Sequence, residues 1–277
     1  QVRATNRIGG GPPTVRMETG AETGRVYAAA LGISDRALAS QRVEALALGL
    51  VSGVDAKVSI SARAGSSPAS ITISTGLTVK DKDGTEHEGS VTRDFRRSPS
   101  GELNVYHAYF ALPEGSQGQG LGKQVLASSF HQYEQLGVSH ISVSANIDVG
   151  GYAWAKYGFL PADEATWNSL AGQMRDRASR ALAAGVITQA VHDKILPIVA
   201  AGTPKTNLWK LADLRDSSFK AQQAASTRDP GGSRPSFWSA HSKPRPVDPK
   251  NPAAGSLDDG KVGTMLLLGT HWSGNFS

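Results

Sequence analysis

The residues with the clearest chemical potential form one short stretch, Gln117-Gly118-Gln119-Gly120-Leu121-Gly122-Lys123. An apolar run over 105–112 precedes it and an amphipathic run over 121–136 follows it, so the order reads as strand, glycine loop, helix. Glycines let backbone amides approach an anion because no Cβ stands in the way. The first helical turn adds N–H groups without intrahelical partners and the positive end of the helix dipole. Together they suit a phosphate or diphosphate. The spacing narrows the ligand. Gln124 follows Lys123, so no hydroxyl is placed for magnesium as a P-loop requires. Glycines at 118, 120 and 122 do not make Gly-x-Gly-x-x-Gly either. The spacing present is Gln-x-x-Gly-x-Gly, at Gln117, Gly120 and Gly122. The plain alternative is a glycine-rich strand-to-helix turn with no ligand. Lys123 either adds charge to the site or faces solvent.

Groups able to move protons lie on both sides of that loop. Strict alternation along 105–112 puts His107 and Tyr109 on one strand face, opposite Tyr106, Ala108 and Phe110. A histidine there would accept a proton at neutral pH, or else be a structural residue of the sheet. Glu86 and Glu88 precede it, and Ser144 and Asn146 follow it as groups that would position water or substrate. No His, Asp or Glu grouping has metal-ligand spacing, and no Gly-x-Ser-x-Gly elbow occurs.

The elements that must position these residues can be read from periodicity. An extended arm is expected over 1–24. A helix is expected over 25–50, capped by Ser34 with Asp35 in its first turn and with Leu38, Val43, Leu46 and Leu50 near one face. Alternating runs over 56–63, 69–80, 86–95 and 105–112 read as strands, with a bulge or bend at Gly76 and a hairpin turn at Asp83-Gly84. Joined by hairpins, they make an antiparallel meander. Gly137 ends the helix over 121–136, and the strand over 139–145 then returns parallel to 105–112. A short helix over 152–157 leads to a further strand beginning at Gly158-Phe159-Leu160-Pro161. Helices are expected over 163–184, 186–201 and 208–214, forming a helical insertion across 162–215. Residues 216–262 read as a Pro/Gly/Ser-rich linker in which Phe237 and Trp238 stand out, and 264–269 reads as a final strand within a C-terminal segment 263–277. The expected fold class is therefore α/β of the α+β kind.

The 277 residues contain no cysteine, which removes disulfides, thiolate zinc sites and thiol nucleophiles. A formal charge of +5 is scattered rather than massed, so nucleic acid is not an expected partner. No run of 18 apolar residues occurs, and no membrane span is expected.

The loop, the order of elements, Asn146 and the segment from Tyr152 to Gly158-Phe159 resemble the GCN5-related N-acetyltransferase family over about residues 25–161. The resemblance implies a mixed, mostly antiparallel central sheet flanked by helices. It implies transfer of an acetyl group from acetyl-CoA to an amine by direct attack, with no metal. Backbone amides of Gln117, Gly118, Gln119, Gly120, Leu121, Gly122 and Lys123 would hold the diphosphate. The strands 105–112 and 139–145 would splay, and an N–H near Ala111 or Leu112 would polarise the thioester carbonyl. Asn146 and Trp154 are counted with the carrier-binding residues. The family commonly places its tyrosine acid where Trp154 stands, and indole is a poor proton donor. Tyr157, about 60° from it round a helix, is the better substitute; Tyr152 projects about 200° away. His107, Tyr109, Tyr157 and Asn146 are the catalytic candidates. The acceptor amine is of unknown class. Trp209 to Asp213 together with Leu266 to Trp272 also look like segments of large phage-encoded proteins with acetyltransferase-like domains. That second resemblance, with Trp154, implies the alternative of an inactive structural or interaction module in a virion, with protein partners on the terminal arms. The location implied is cytoplasmic, or virion-associated if the chain is phage-encoded.

Overall fold

In the computed structural model, residues 13–54, 56–66, 68–80, 84–112, 120–145, 150–219, 260–267 and 270–276 are described. The fold is α+β, and the chain divides into two compact units, 1–142 with 277, and 143–276.

The first unit contains β1 (Thr14–Met17), α1 (Ala21–Leu31), α2 (Arg36–Gly49), β2 (Lys57–Ser66), β3 (Ala69–Lys80), β4 (Glu86–Arg97), β5 (Leu103–Ala111) and α3 (Leu121–Leu136). β6 (Val138–Ala145) then carries the chain toward the second unit. β2 to β5 form the expected antiparallel meander, and β1 joins the free edge of β2 in parallel. Period-two patterning dictates the layers. Val58, Ile60 and Ala62 of β2, Ile71, Ile73 and Leu77 of β3, Val91 and Phe95 of β4, and Leu103 and Val105 of β5 are all buried. The opposite face carries Ser and Thr, with Thr72 donating to Asp94 at 2.6 Å across the β3–β4 pair. Helices cover the apolar face. Tyr27 of α1 donates to the Ala62 carbonyl at 3.1 Å, and Tyr133 of α3 meets Phe95 edge-on at 5.9 Å. Burying each of these large side chains contributes about 1.5–3 kcal/mol.

The single helix expected over 25–50 is two. Gly32 takes a left-handed φ of 67° and ends α1, and Arg97 donates to the freed Leu31 carbonyl at 2.6 Å. Asp35, not Ser34, caps α2; its carboxylate accepts from the Ala37 and Leu38 amides. Leu38 faces outward, and the buried face is Ala39, Val43, Leu46, Ala47 and Leu50. Within the span 1–24, expected as an extended arm, lie β1 and the start of α1. Gly76 makes no bulge: its register with Ser59 and Ser90 is unbroken, and the missing side chain gives the Ser59 hydroxyl room. The irregularity falls instead between β4 and β5.

The second unit contains α4 (Gly150–Lys156), β7 (Leu160–Pro161), α5 (Glu164–Ala183), α6 (Gln189–Ile195), α7 (Asn207–Ala212), α8 (Val262–Leu267) and β8 (Trp272–Phe276). Asp163 caps α5 through the Thr166 amide, and Trp167 is fully buried with its indole donating to the Thr203 carbonyl at 2.7 Å. α6 is shorter than the expected 186–201 because Pro197 has no amide proton and disfavours helix at Leu196. The apolar run expected as a strand over 264–269 is helical through Leu267. A short apolar run does not distinguish a buried strand from a buried helix. All six α8 residues are buried, and Gly263 lies against the Leu211 and Ala212 carbonyls, closer than any Cβ would allow. The final strand is β8, antiparallel to β7, with Leu160 opposite Asn275. The unit boundary also differs from the expected break after 161. Lys156 of α4 pairs with Asp213, and β7 pairs with β8, so both elements belong with the C-terminal helices. Phe237 and Trp238 lie outside the described residues.

Candidate functional site

β5 and α3 supply the described part of the candidate site. Gly120 precedes α3 with φ 86° and ψ −2°, a left-handed conformation that disfavours most side chains. Gly120, at the N-cap of α3, has no side chain to cap the first-turn amides. Leu121 and Gly122 are buried and Lys123 is exposed. Ala111 and Leu112, at the end of β5, are half-buried. Gln117, Gly118, Gln119 and Asn146 lie outside the described residues.

A bulge changes the chemistry of β5. Arg93 of β4 sits opposite His107, but the next residue back, Thr92, sits opposite Tyr109, so Ala108 is the extra residue. The alternation shifts by one across it. His107 therefore faces the core, 2% exposed, whereas Tyr109 faces the opposite side, 49% exposed. The expectation that the two share a face fails for this reason. Phe110, expected with Tyr106 on the other face, instead packs beneath the Arg93 guanidinium, 5.4 Å from its ring centroid.

His107 belongs to a buried polar group that includes two residues not anticipated from the sequence. Its Nε2 lies 2.9 Å from the Tyr133 hydroxyl. Arg93 Nε donates to the same hydroxyl at 3.1 Å, and Arg93 Nη1 donates to the carbonyls of Thr92 and Tyr109, the residue pair next to the bulge, at 3.1 and 3.2 Å. The phenol oxygen accepts from Arg93, and the His107 tautomer decides whether the imidazole donates to that oxygen or accepts its proton. Burial, with Arg93 second, holds the His107 pKa well below the usual imidazole value. Burial raises the Tyr133 phenol, opposed by the Arg93 charge. Sequence signals for both residues existed. Arg93 occupies an inward position between Val91 and Phe95, and Tyr133 continues the Leu121, Val125, Ser129 stripe of α3 at four-residue spacing.

Trp154 and Tyr157 lie in the second unit. Trp154 is buried, with its ring 5.0 Å from Phe159 and 6.3 Å from Tyr157, both edge-on. It is an apolar packing residue of α4. Tyr157 follows the helix, half-buried, and burial raises its pKa, so it is a protonated phenol at neutral pH. Among the described residues no group of three His, Asp or Glu is placed to hold a metal, and no helix is long and apolar enough to cross a membrane.

Compared with known proteins, the chain matches no family model and no curated sequence.

Proposed function

We propose that the chain is an N-acyltransferase that moves an acetyl group from acetyl-CoA to an amine. The observation that carries this reading is the junction of β5 and α3. Gln-x-x-Gly-x-Gly spacing coincides there with a left-handed Gly120 that brings no capping side chain of its own to the helix start. Anionic oxygen at that start gains charge-assisted hydrogen bonds from main-chain donors. In the reaction the amine nitrogen attacks the thioester carbonyl carbon, the C–N bond forms and the C–S bond breaks. The amine loses a proton and the thiolate gains one. Amides near Ala111 and Leu112 would stabilise the developing oxyanion, a contribution of about 3 kcal/mol for one well-placed donor. Tyr157, a phenol protonated at neutral pH, belongs to the second unit and is a proton donor by its chemistry alone. Tyr109 stands on the exposed face of β5, where an acceptor has access. His107 has no such access and serves the core instead.

A second reading is an inactive structural module of the same fold, and it has its own support. Trp154 fills the usual acid position as apolar packing, and α7 and α8, which overlap in part the two segments that resemble phage proteins, pack directly on each other. One experiment separates the readings. The melting temperature is measured with acetyl-CoA, alongside thiol release on a panel of amines. At 100 times its Kd the ligand would stabilise by about 2.7 kcal/mol. Gly120→Asn and Gly120→Asp both tolerate left-handed backbone, and they differ by one charge. At about 5 Å from a phosphate that charge costs about 1–3 kcal/mol, so Asp loses far more of the shift than Asn. No shift in the native chain refutes acyl-CoA binding. A shift without thiol release favours the inactive module.

A further inference from the structure

We propose that the polar face of β3, β4 and β5 is a binding platform for a neutral polysaccharide, centred on Tyr106 and Tyr109. The site is independent of the acyl-CoA reading. Strand register defines two adjacent cross-strand rows on this face. Thr72, Asp94 and Tyr106 stand side by side in the first, and Ser74, Thr92 and Tyr109 in the second. The rows lie two residues apart along β3 and β4, about 7 Å. Regular alternation would have sent Tyr109 into the core and left Tyr106 alone. The bulge at Ala108 turns Tyr109 onto the face that carries Tyr106, where it is 49% exposed. An otherwise hydroxylated sheet thereby gains two aromatic positions on neighbouring rows.

The rest of both rows is polar. Thr72 donates to Asp94 Oδ1 at 2.6 Å, and the Ser74 and Thr92 hydroxyls lie 3.3 Å apart. A hydroxyl has one donor and two acceptor sites, and the carboxylate has a second oxygen, so capacity remains for a ligand. On β2 the rows continue as the exposed Arg63 and as Ser61. One carboxylate and one guanidinium leave the two rows without net charge, which suits neither a polyanion such as nucleic acid nor a polycation. Neither row contains an aliphatic side chain, so a protein partner would find no water-free apolar centre. A pyranose ring fits what is present. Its C–H face packs on an aromatic ring, and its rim of hydroxyls donates and accepts at the Ser, Thr and Asp groups. Two tyrosines on adjacent rows suit consecutive sugars of one chain better than a lone monosaccharide.

Sedimentation of the full chain with insoluble cellulose, chitin and starch tests this. The chain is expected to sediment with at least one of them in about 0.5 M salt, where exposed charges are screened. A soluble oligosaccharide of the same sugar is expected to release it. Tyr109→Ala is expected to weaken retention at least about tenfold, the size of a binding anchor. Tyr109→Phe keeps the ring and is expected to retain most of the affinity. Tyr109 is exposed, so both variants are expected to keep the native melting temperature. Trp209→Ala removes a comparably exposed aromatic, 41%, from the second unit and is expected to change nothing, which controls for general stickiness. Failure to sediment with any of the three polymers, retention that the salt abolishes, or undiminished retention of Tyr109→Ala would overturn the proposal. So would an equal loss in Trp209→Ala, or a dimer of the native chain that Tyr109→Ala dissolves, since the face would then be an interface between copies.

Discussion

The Tyr133 hydroxyl is the hub of the buried group, and removing it alone is a sharp perturbation. Tyr133→Phe keeps the ring that packs on Phe95, Phe130 and His107, with centroids at 5.9, 6.0 and 5.7 Å. It deletes the acceptor of Arg93 Nε and the partner of His107 Nε2. Each buried polar atom left unsatisfied costs about 1–3 kcal/mol, with the charged one at the upper end. Removing the hydroxyl's own burial recovers part of that. The expected loss is about 2–5 kcal/mol, a large share of the roughly 5–15 kcal/mol stability of an ordinary domain. Urea denaturation should show a midpoint lower by about 1–2 M at unchanged slope. The loss should also depend on its partner: in an Arg93→Met background Tyr133→Phe should cost at least about 1 kcal/mol less, because the cation that needs the phenol is gone. A Tyr133→Phe chain within about 0.5 kcal/mol of the native one, or losses that simply add, would refute the picture of one coupled buried network.

His107 carries a pH signature. Its folded pKa is depressed, so the unfolded chain binds the extra proton; its contribution is complete above pH 6.5 and is lost as pH falls toward the folded value. Stability should fall by about 1.4 kcal/mol per pH unit below 6.5, and His107→Gln should flatten that limb in urea titrations between pH 6.5 and 5. In the second unit, Gly263→Ala drives a methyl into the Leu211 carbonyl, so α7 and α8 must separate. The expected cost is about 1–3 kcal/mol or more, read as loss of the cooperative thermal transition of that unit.

Much of the architecture could be read without coordinates. The alternation of Val58, Ile60 and Ala62 and of Ile71, Ile73 and Leu77 dictates which face of the meander is buried, because side chains on a strand alternate at a period of two. The α3 boundaries follow from the stripe Leu121, Val125, Ser129 and from Gly137, whose φ of 65° closes the helix as a glycine there should. Gln117, Gly120 and Gly122 marked the candidate site by composition and order alone. What tertiary packing decided is of a different kind. One extra residue at Ala108 turned His107 inward and Tyr109 outward, since a bulge moves every later side chain to the other face and nothing in the local pattern announces it. Arg93 and Tyr133 lie 40 residues apart and became partners only when α3 closed over the sheet. The run 262–267 is a helix whose Gly263 lies against the end of α7, a contact that its own composition does not encode. Local periodicity sets which side of an element is apolar; it is the pairing of distant elements that sets which polar groups are buried together, because their cost is met only by partners the fold brings from elsewhere.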